Sequence, residues 1–179
     1  RQIRPIVLGI FDSGSGGLTI LRALTERLPD CDFCYLGDHA HAPYGIKTSE
    51  EILDLTIENV VRLFDRKCEL VLLACNTASA VALRRLQQEW LPHHYPDRRV
   101  LGVLVPMVEA ITDIPWDNKK PAPASPSQTQ SVAIFATPST VASSAYPFEI
   151  NLRAPDMGVV QQACEGLVRA IEENTGRGA

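Results

Sequence analysis

The chain has 179 residues, of which 45% are hydrophobic and 21% are charged, and its formal net charge is −4. These values are typical of a soluble globular protein of one or two domains, and they exclude the basic footprint that nucleic acid requires. No apolar run approaches the ~20 residues of a membrane span, and five cysteines at scattered spacings argue against a disulfide framework. We therefore expect a protein of the reducing cytoplasm, without membrane or nucleic-acid partners.

Strand patterns and helix patterns alternate along the chain. In chain order they predict a strand at 5–11, a helix at 18–28, a strand at 33–38, a helix at 50–67 capped by Ser49, a strand at 70–74, a helix at 79–91, a strand at 100–106, a short helix at 107–111, a strand at 132–136, a helix at 137–150, a strand at 157–163 and a helix at 164–173. Strands separated by helices predict an α/β fold with parallel sheets.

The chain is expected to form two domains. A first α/β domain is predicted at residues 1–98 and a partial second one at 99–179. Residues 115–131 are rich in Pro, Ala, Ser and Gln, which predicts a disordered loop inside the second domain.

Small polar residues follow four of the predicted strands, where ligands of parallel sheets bind. The segments are DSGSGG (12–17), GDHAHAPYG (37–45), CNTAS (75–79) and ATPST (136–140). The glycines of the first segment suit an anion at a helix start, although a plain strand-to-helix turn remains an alternative. The segment is neither a dinucleotide fingerprint nor a P-loop.

Cys75 is the strongest candidate for chemistry. It lies between a predicted strand and a predicted helix, and Asn76 and Thr77 follow it directly. A helix N-terminus lowers the pKa of a thiol, and a thiolate can act as a base or a nucleophile. The alternative is an inert packed cysteine, which needs no polar neighbours of this kind.

The other polar clusters carry weaker signals. Pro43–Gly45 predicts a rigid turn, and Asp38, His39 and His41 lack a further ligand pair at metal spacing, so no metal is expected. The lone pair Cys31 and Cys34, like Cys68 and Cys164, is expected to pack in the interior. His93 and His94 lie in a charged loop and are expected to be solvated.

Together these motifs resemble the cofactor-independent aspartate/glutamate racemase family. GIFDSGSGGLTILRAL, APYG, LLACNTASAVAL, VAIFATPSTVASSAY and VVQQACEGLVRAIEE match the family pattern in order and approximate spacing. The resemblance implies two doubly wound, flavodoxin-like α/β domains with the active site between them. It further implies interconversion of L- and D-glutamate without any cofactor, supply of D-glutamate for peptidoglycan, and a homodimer.

The resemblance also assigns the site residues. Cys75 would be one of two catalytic thiols that work on opposite faces of glutamate, and Asp12 would orient or deprotonate it. The substrate-binding positions that match the family are Ser13, Tyr44, Gly45, Asn76, Thr77, Thr137 and Thr140.

The sequence departs from the family in one important respect. The second cysteine should stand in a CTHYP-like segment, and HHYP (93–96) lacks the cysteine. We therefore expect the chain to be a truncated representative whose complete form is active. The alternatives are a non-catalytic amino-acid-binding module, an inactive remnant, or an aspartate racemase.

Overall fold

The computed structural model describes residues 6–117 and 131–175. The chain divides into two compact units, Arg1–Leu104 and Val105–Ala179. The sequence analysis placed the division between the domains after residue 98. In the structure, strand 99–102 hydrogen-bonds to the first sheet, so the division lies further toward the C-terminus. Most of the predicted loop at 115–131 lies outside the described residues.

The described elements alternate between strands and helices. The strands are β1 Val7–Asp12, β2 Asp32–Gly37, β3 Leu70–Leu73, β4 Arg99–Gly102, β5 Ser131–Ala136 and β6 Gly158–Ala163. The helices are α1 Gly17–Arg27, α2 Ser49–Asp65, α3 Asn76–Val81, α4 Leu83–Arg85, α5 Leu91–His94, α6 Leu104–Thr112, α7 Pro138–Ser143, α8 Ala145–Arg153 and α9 Leu167–Thr175. A 3₁₀ turn covers Tyr44–Ile46, and a π-helical turn covers Leu86–Trp90.

The first unit contains a parallel four-stranded sheet in the order β2-β1-β3-β4. Its central strand β1 is apolar on both faces, as expected for a strand buried between layers of helices. The core of this unit is formed mainly by aliphatic and aromatic side chains from β1, α2, β3, the helical segment after β3, and β4: Phe11, Ile52, Val60, Leu63, Val71, Leu73, Leu86 and Val100. The predicted α/β class with parallel strands is confirmed.

In the described part of the second unit, β5 and β6 pair in parallel, with Ala133 opposite Val160. Burial alternates along both strands because side chains of a strand point alternately to the two faces of a sheet. The face that carries Phe135 and Val160 is open, and these side chains are 66% and 65% exposed.

Three predicted boundaries were wrong for identifiable reasons. The strand predicted at 100–106 ends at Gly102, and α6 begins at Leu104, because a short apolar run does not distinguish a strand from a buried helix. Pro106 is tolerated there because it lies in the first turn of α6. The helix predicted at 137–150 is split at Ser144, which adopts a left-handed conformation with φ 53°.

The helix starts were also shifted. The helix predicted at 79–91 begins at Asn76, directly after Cys75, and helical structure continues to His94. Thr48, rather than the predicted Ser49, caps α2: its hydroxyl accepts the N–H of Glu51 at 3.2 Å, and the Glu51 carboxylate accepts the N–H of Thr48 at 2.8 Å. This reciprocal capping box satisfies two N–H groups that the helix leaves unpaired.

Candidate active site

The site in the first unit is built where β1 and β3 end side by side. Phe11 pairs with Leu73, so the residues that follow these two strands come together at one edge of the sheet. The backbone N–H groups of Ala74 and Cys75 donate to the carbonyl of Phe11 at 2.8 and 3.3 Å. These hydrogen bonds attach the start of the Cys75 segment to the end of β1, beside Asp12.

The thiol of Cys75 is buried and occupies the capping position of α3. Its side chain is 4% exposed, and Sγ accepts the backbone N–H of Ala78 at 3.4 Å. The hydroxyl of Ser13 lies 3.3 Å from the same sulfur. The sulfur is therefore hydrogen-bonded to residues of two predicted site segments, DSGSGG and CNTAS.

Burial dominates the acidity of this thiol. It raises the pKa of Cys75, because removal from water disfavours the thiolate. The hydrogen bonds from Ser13 and Ala78 oppose this effect, and the negative charge of Asp12 adds to it. The expectation of a lowered pKa was thus wrong for this structure: Cys75 is a neutral thiol held among donors that stabilise its ionised form.

Asp12 anchors the glycine-rich turn. Its carboxylate oxygen Oδ2 accepts the backbone N–H groups of Gly14 and Gly17, each at 3.1 Å. The carboxylate is buried and acts on Cys75 through its charge. The hydrogen bonds to Oδ2 come from the turn, and the charge of Asp12 disfavours the thiolate of Cys75, so the predicted role of Asp12 in orienting or deprotonating the thiol stays a prediction.

The two adjacent glycines of this turn offer a matched test of its packing. A Cβ on Gly17 would lie 2.7 Å from Asp12 Cβ and 3.0 Å from Ala74 Cβ, whereas on Gly16 the nearest atom is Asp12 Oδ2 at 4.0 Å. We expect Gly17→Ala to lower the free energy of unfolding by about 2 kcal/mol, as overpacking typically does. Gly16→Ala should change it by less than about 1 kcal/mol. Urea denaturation measures both values, and equal effects would contradict the packing described.

Tyr44 and Gly45 lie in the 3₁₀ turn that packs against α3. Both residues are buried, and the Tyr44 hydroxyl donates to Asp38 Oδ2 at 2.7 Å. Burial and the hydrogen bond to Asp38 raise the pKa of Tyr44, so its phenol stays protonated. The Tyr44 hydroxyl thus ties the turn to Asp38, and the predicted contact of Tyr44 with substrate stays a prediction.

Asp38 is the centre of a buried hydrogen-bond network. Its carboxylate also accepts the side-chain N–H of Asn59 at 3.1 Å and contacts His41 Nδ1 at 2.8 Å. Within residues 6–117 and 131–175, no group of three or more His, Cys, Asp and Glu side chains is arranged to hold a metal ion. Asp38 and His41 form part of this network, while His39 is exposed.

The remaining predicted residues fall into two groups. Asn76 and Thr77 begin α3 directly after Cys75, with Asn76 exposed and Thr77 buried. Thr137 and Thr140 belong to the second unit, where Thr137 caps α7: its hydroxyl accepts the N–H of Thr140 at 3.3 Å and lies 2.9 Å from the Thr140 hydroxyl. The first group shares the Cys75 site, and the second forms a threonine cap of its own.

The other cysteines lie apart from this arrangement. Cys68 is buried, as expected, and burial raises its pKa to about 11. Cys31 and Cys34 lie before and within β2. Cys164 was expected in a helical core, but it follows β6, is partly exposed, and donates its backbone N–H to Ala136.

Two residues of the site region were missed by sequence reasoning. The Tyr35 hydroxyl donates to the carbonyl of Gly14 at 3.1 Å, and Asn59 donates to Asp38. Asn59 left a signal, because it is a polar residue on the helix face that carries Ile52, Thr56 and Leu63. No sequence pattern indicated the role of Tyr35, because its contact with Gly14 depends on the pairing of β2 with β1.

Fold and site together define an α/β protein with a buried, hydrogen-bonded cysteine at the carboxyl edge of a parallel sheet. The chain is 55% identical over 167 residues to the glutamate racemase of Roseobacter denitrificans and 51% identical over 169 residues to that of Jannaschia sp.. These matches cover 93% and 94% of this chain and 60% of each relative. By sequence the chain is thus a relative of the glutamate racemases and spans about three fifths of their length.

Solved structures agree with this relationship. The glutamate racemase of Francisella tularensis in complex with D-glutamate superposes with a TM-score of 0.77 at 31% identity, covering 96% of this chain and 57% of that one. The glutamate racemase of Aquifex pyrophilus gives a TM-score of 0.75 at 34% identity, covering 97% and 61%. No protein-family model matches the chain. No helix among the described residues is long and apolar enough to cross a membrane.

Proposed function

We propose that the protein that carries this chain interconverts L- and D-glutamate, with Cys75 as one of its two acid–base thiols. The observation that carries the proposal is the Cys75 thiol itself, buried beside Asp12 and hydrogen-bonded by Ser13 and the N–H of Ala78. A relative of known structure binds D-glutamate, and its fold matches nearly all of this chain. The resemblance of the CNTAS segment to the family motif supports Cys75 as the first catalytic cysteine.

The chemistry follows from the acidity of the groups. Cys75, as thiolate, takes the proton from Cα of glutamate, and the electron pair of the broken C–H bond remains on the substrate. Hydrogen-bond donors at the start of α3, including Asn76 and Thr77, would stabilise the negative charge that develops beside the substrate carboxylate. A second thiol on the opposite face must return a proton to Cα, because one group on one face cannot invert the centre.

Substrate binding would use the turn and cap residues. Ser13, Gly45, Asn76 and Thr77 surround the thiol segment in sequence or in space, and Tyr44 would act through the shape of its turn. Thr137 and Thr140 would supply hydroxyl groups from the second unit. A cytoplasmic homodimer that provides D-glutamate for peptidoglycan is the setting that this function implies.

Chiral analysis of the reaction mixture tests the proposal. The protein that carries this chain, purified in full length and incubated with L-glutamate without any added cofactor, is expected to accumulate D-glutamate until the two enantiomers are equal. L-Aspartate serves as the comparison substrate and should turn over much more slowly. Faster conversion of aspartate than of glutamate would show that the protein is an aspartate racemase. Binding of glutamate without any conversion would contradict the proposal.

A further inference from the structure

Tyr35 reaches the catalytic segment from the neighbouring strand β2. Its hydroxyl donates to the carbonyl of Gly14 at 3.1 Å. The N–H of Gly14 in turn donates to Asp12 Oδ2 at 3.1 Å. Gly14 is therefore fixed by hydrogen bonds at both its N–H and its carbonyl group. Ser13 lies between Asp12 and Gly14 in the chain, so these bonds also restrain Ser13.

The position of this carbonyl depends on a close approach. A Cβ on Gly37 would lie only 2.7 Å from the Gly14 oxygen and 3.3 Å from Cε1 of Tyr35. The absence of a side chain at Gly37 thus lets the carbonyl of Gly14 rest against β2, within reach of the tyrosine hydroxyl. Such a contact at the end of a strand is a typical use of glycine.

The same segment contacts the thiol. Both the hydroxyl and the backbone N–H of Ser13 favour the ionised form of Cys75. Any shift of Gly14 moves both donors, because Ser13 precedes it directly in the chain. The hydrogen bond of Tyr35 therefore lies one residue away from two donors that favour the thiolate of Cys75 against the effect of burial.

We propose that Tyr35 is a positioning residue, which holds the Ser13–Gly14 segment so that Ser13 donates to the Cys75 sulfur. This inference deepens the proposed function, because it concerns the same thiol. Only the hydroxyl performs this role, since the aromatic ring alone does not bond to Gly14.

The electrostatic surroundings of Tyr35 favour the protonated form of its hydroxyl. Burial, with the charges of Asp12 and Cys75, raises the pKa of Tyr35 to about 12. Among the described residues, Asp12 at the end of β1, Tyr35 on β2 and Tyr44 in the 3₁₀ turn interact electrostatically with the thiol. Tyr35 is therefore a neutral hydrogen-bond donor at neutral pH.

The test is the pH profile of iodoacetamide alkylation at Cys75, followed by peptide mass spectrometry of the 179-residue chain. Tyr35→Phe should raise the midpoint of the profile by about half a pH unit, so that alkylation below the midpoint becomes about threefold slower. Tyr95→Phe is the matched control, because it removes the same hydroxyl from a ring that packs on Phe64 and Trp90. A midpoint for Tyr35→Phe equal to that of Tyr95→Phe would overturn the proposal.

A double-mutant cycle shows whether Tyr35 acts through Ser13. Ser13→Ala should raise the midpoint by itself, and Tyr35→Phe combined with Ser13→Ala should raise it by less than the sum of the single shifts. Fully additive shifts would show that Tyr35 acts by another route and would refute the proposal. The thiol profile needs no turnover, so a failure of the racemase assignment is detected separately, by the absence of D-glutamate in the chiral assay.

Discussion

In the full-length protein that carries this chain, Cys75→Ser is expected to reduce glutamate racemisation by at least about 10³-fold, since general acid–base groups contribute roughly 10²–10⁴-fold. A serine hydroxyl can still accept the N–H of Ala78 and cap α3, so the fold should survive. It cannot serve as the base, because its acidity is far below that of a thiol. Initial rates in both directions, measured by chiral chromatography, provide the comparison.

The matched control for this prediction is Cys164→Ser. It makes the same chemical change at a partly exposed cysteine of the second unit, outside the hydrogen bonds of the Cys75 site. Its rate should stay within about twofold of the parent protein, as expected for a surface substitution. Equal losses of racemisation rate in the two variants would show that Cys75 is not the catalytic thiol.

The pH dependence of the reaction should follow the same thiol. Burial raises the pKa of Cys75, so the thiolate is the minor form at neutral pH in the absence of substrate. The value of kcat/KM is expected to increase as the pH rises and to fall about tenfold per unit below the pKa of the thiol. A profile that is flat from pH 6 to pH 9 would contradict this account of the base.

The largest effect on stability is expected at Asp38. Asp38→Ala should lower the free energy of unfolding by about 3 kcal/mol, because it removes the acceptor of the buried Tyr44 hydroxyl and one of the acceptors of the Asn59 amide. Asp54→Ala, on the exposed face of α2, is the matched control, and its free energy of unfolding should stay within about 0.5 kcal/mol of the parent value. Urea denaturation at pH 7 measures both variants.

The stability difference at Asp38 should also depend on pH. Burial by itself raises the pKa of Asp38, but the hydrogen bonds from Tyr44, His41 and Asn59 outweigh it and lower the pKa below its usual value. A lowered pKa in the folded state gives stability that is present above the unfolded value, near 4, and is lost as the pH falls through the folded value. The difference in the free energy of unfolding between the parent and Asp38→Ala should therefore become smaller in acid. A difference that becomes larger in acid would contradict the hydrogen bonds described for Asp38.

The sequence predicted those parts of the fold that depend on local patterns. The apolar runs at β1 and β3 and the helical spacing of α1 and α2 were recognisable because burial on both faces and burial on one face leave different periodicities. The end of β4 could not be recognised from the sequence, because Leu104 and Val105 continue the apolar run although they already belong to α6.

The sequence named candidate site residues but did not predict their contacts. Asp12 and Cys75 meet because β1 lies between β2 and β3, and this strand order is a property of the sheet that periodicity does not encode. The commitment of the Tyr44 hydroxyl to Asp38 and the reach of Tyr35 to Gly14 both depend on that order. Burial of the thiol, which reverses the expected direction of its pKa, was equally invisible in the sequence.

The central claim is that the sulfur of Cys75 removes the α-proton of glutamate. The direct measurement is the appearance of deuterium at Cα when each enantiomer is incubated in D₂O with the 179-residue chain, followed by NMR. We predict exchange of one enantiomer in preference to the other, without detectable inversion, and no exchange with Cys75→Ser. Exchange that continues unchanged in Cys75→Ser would contradict the claim.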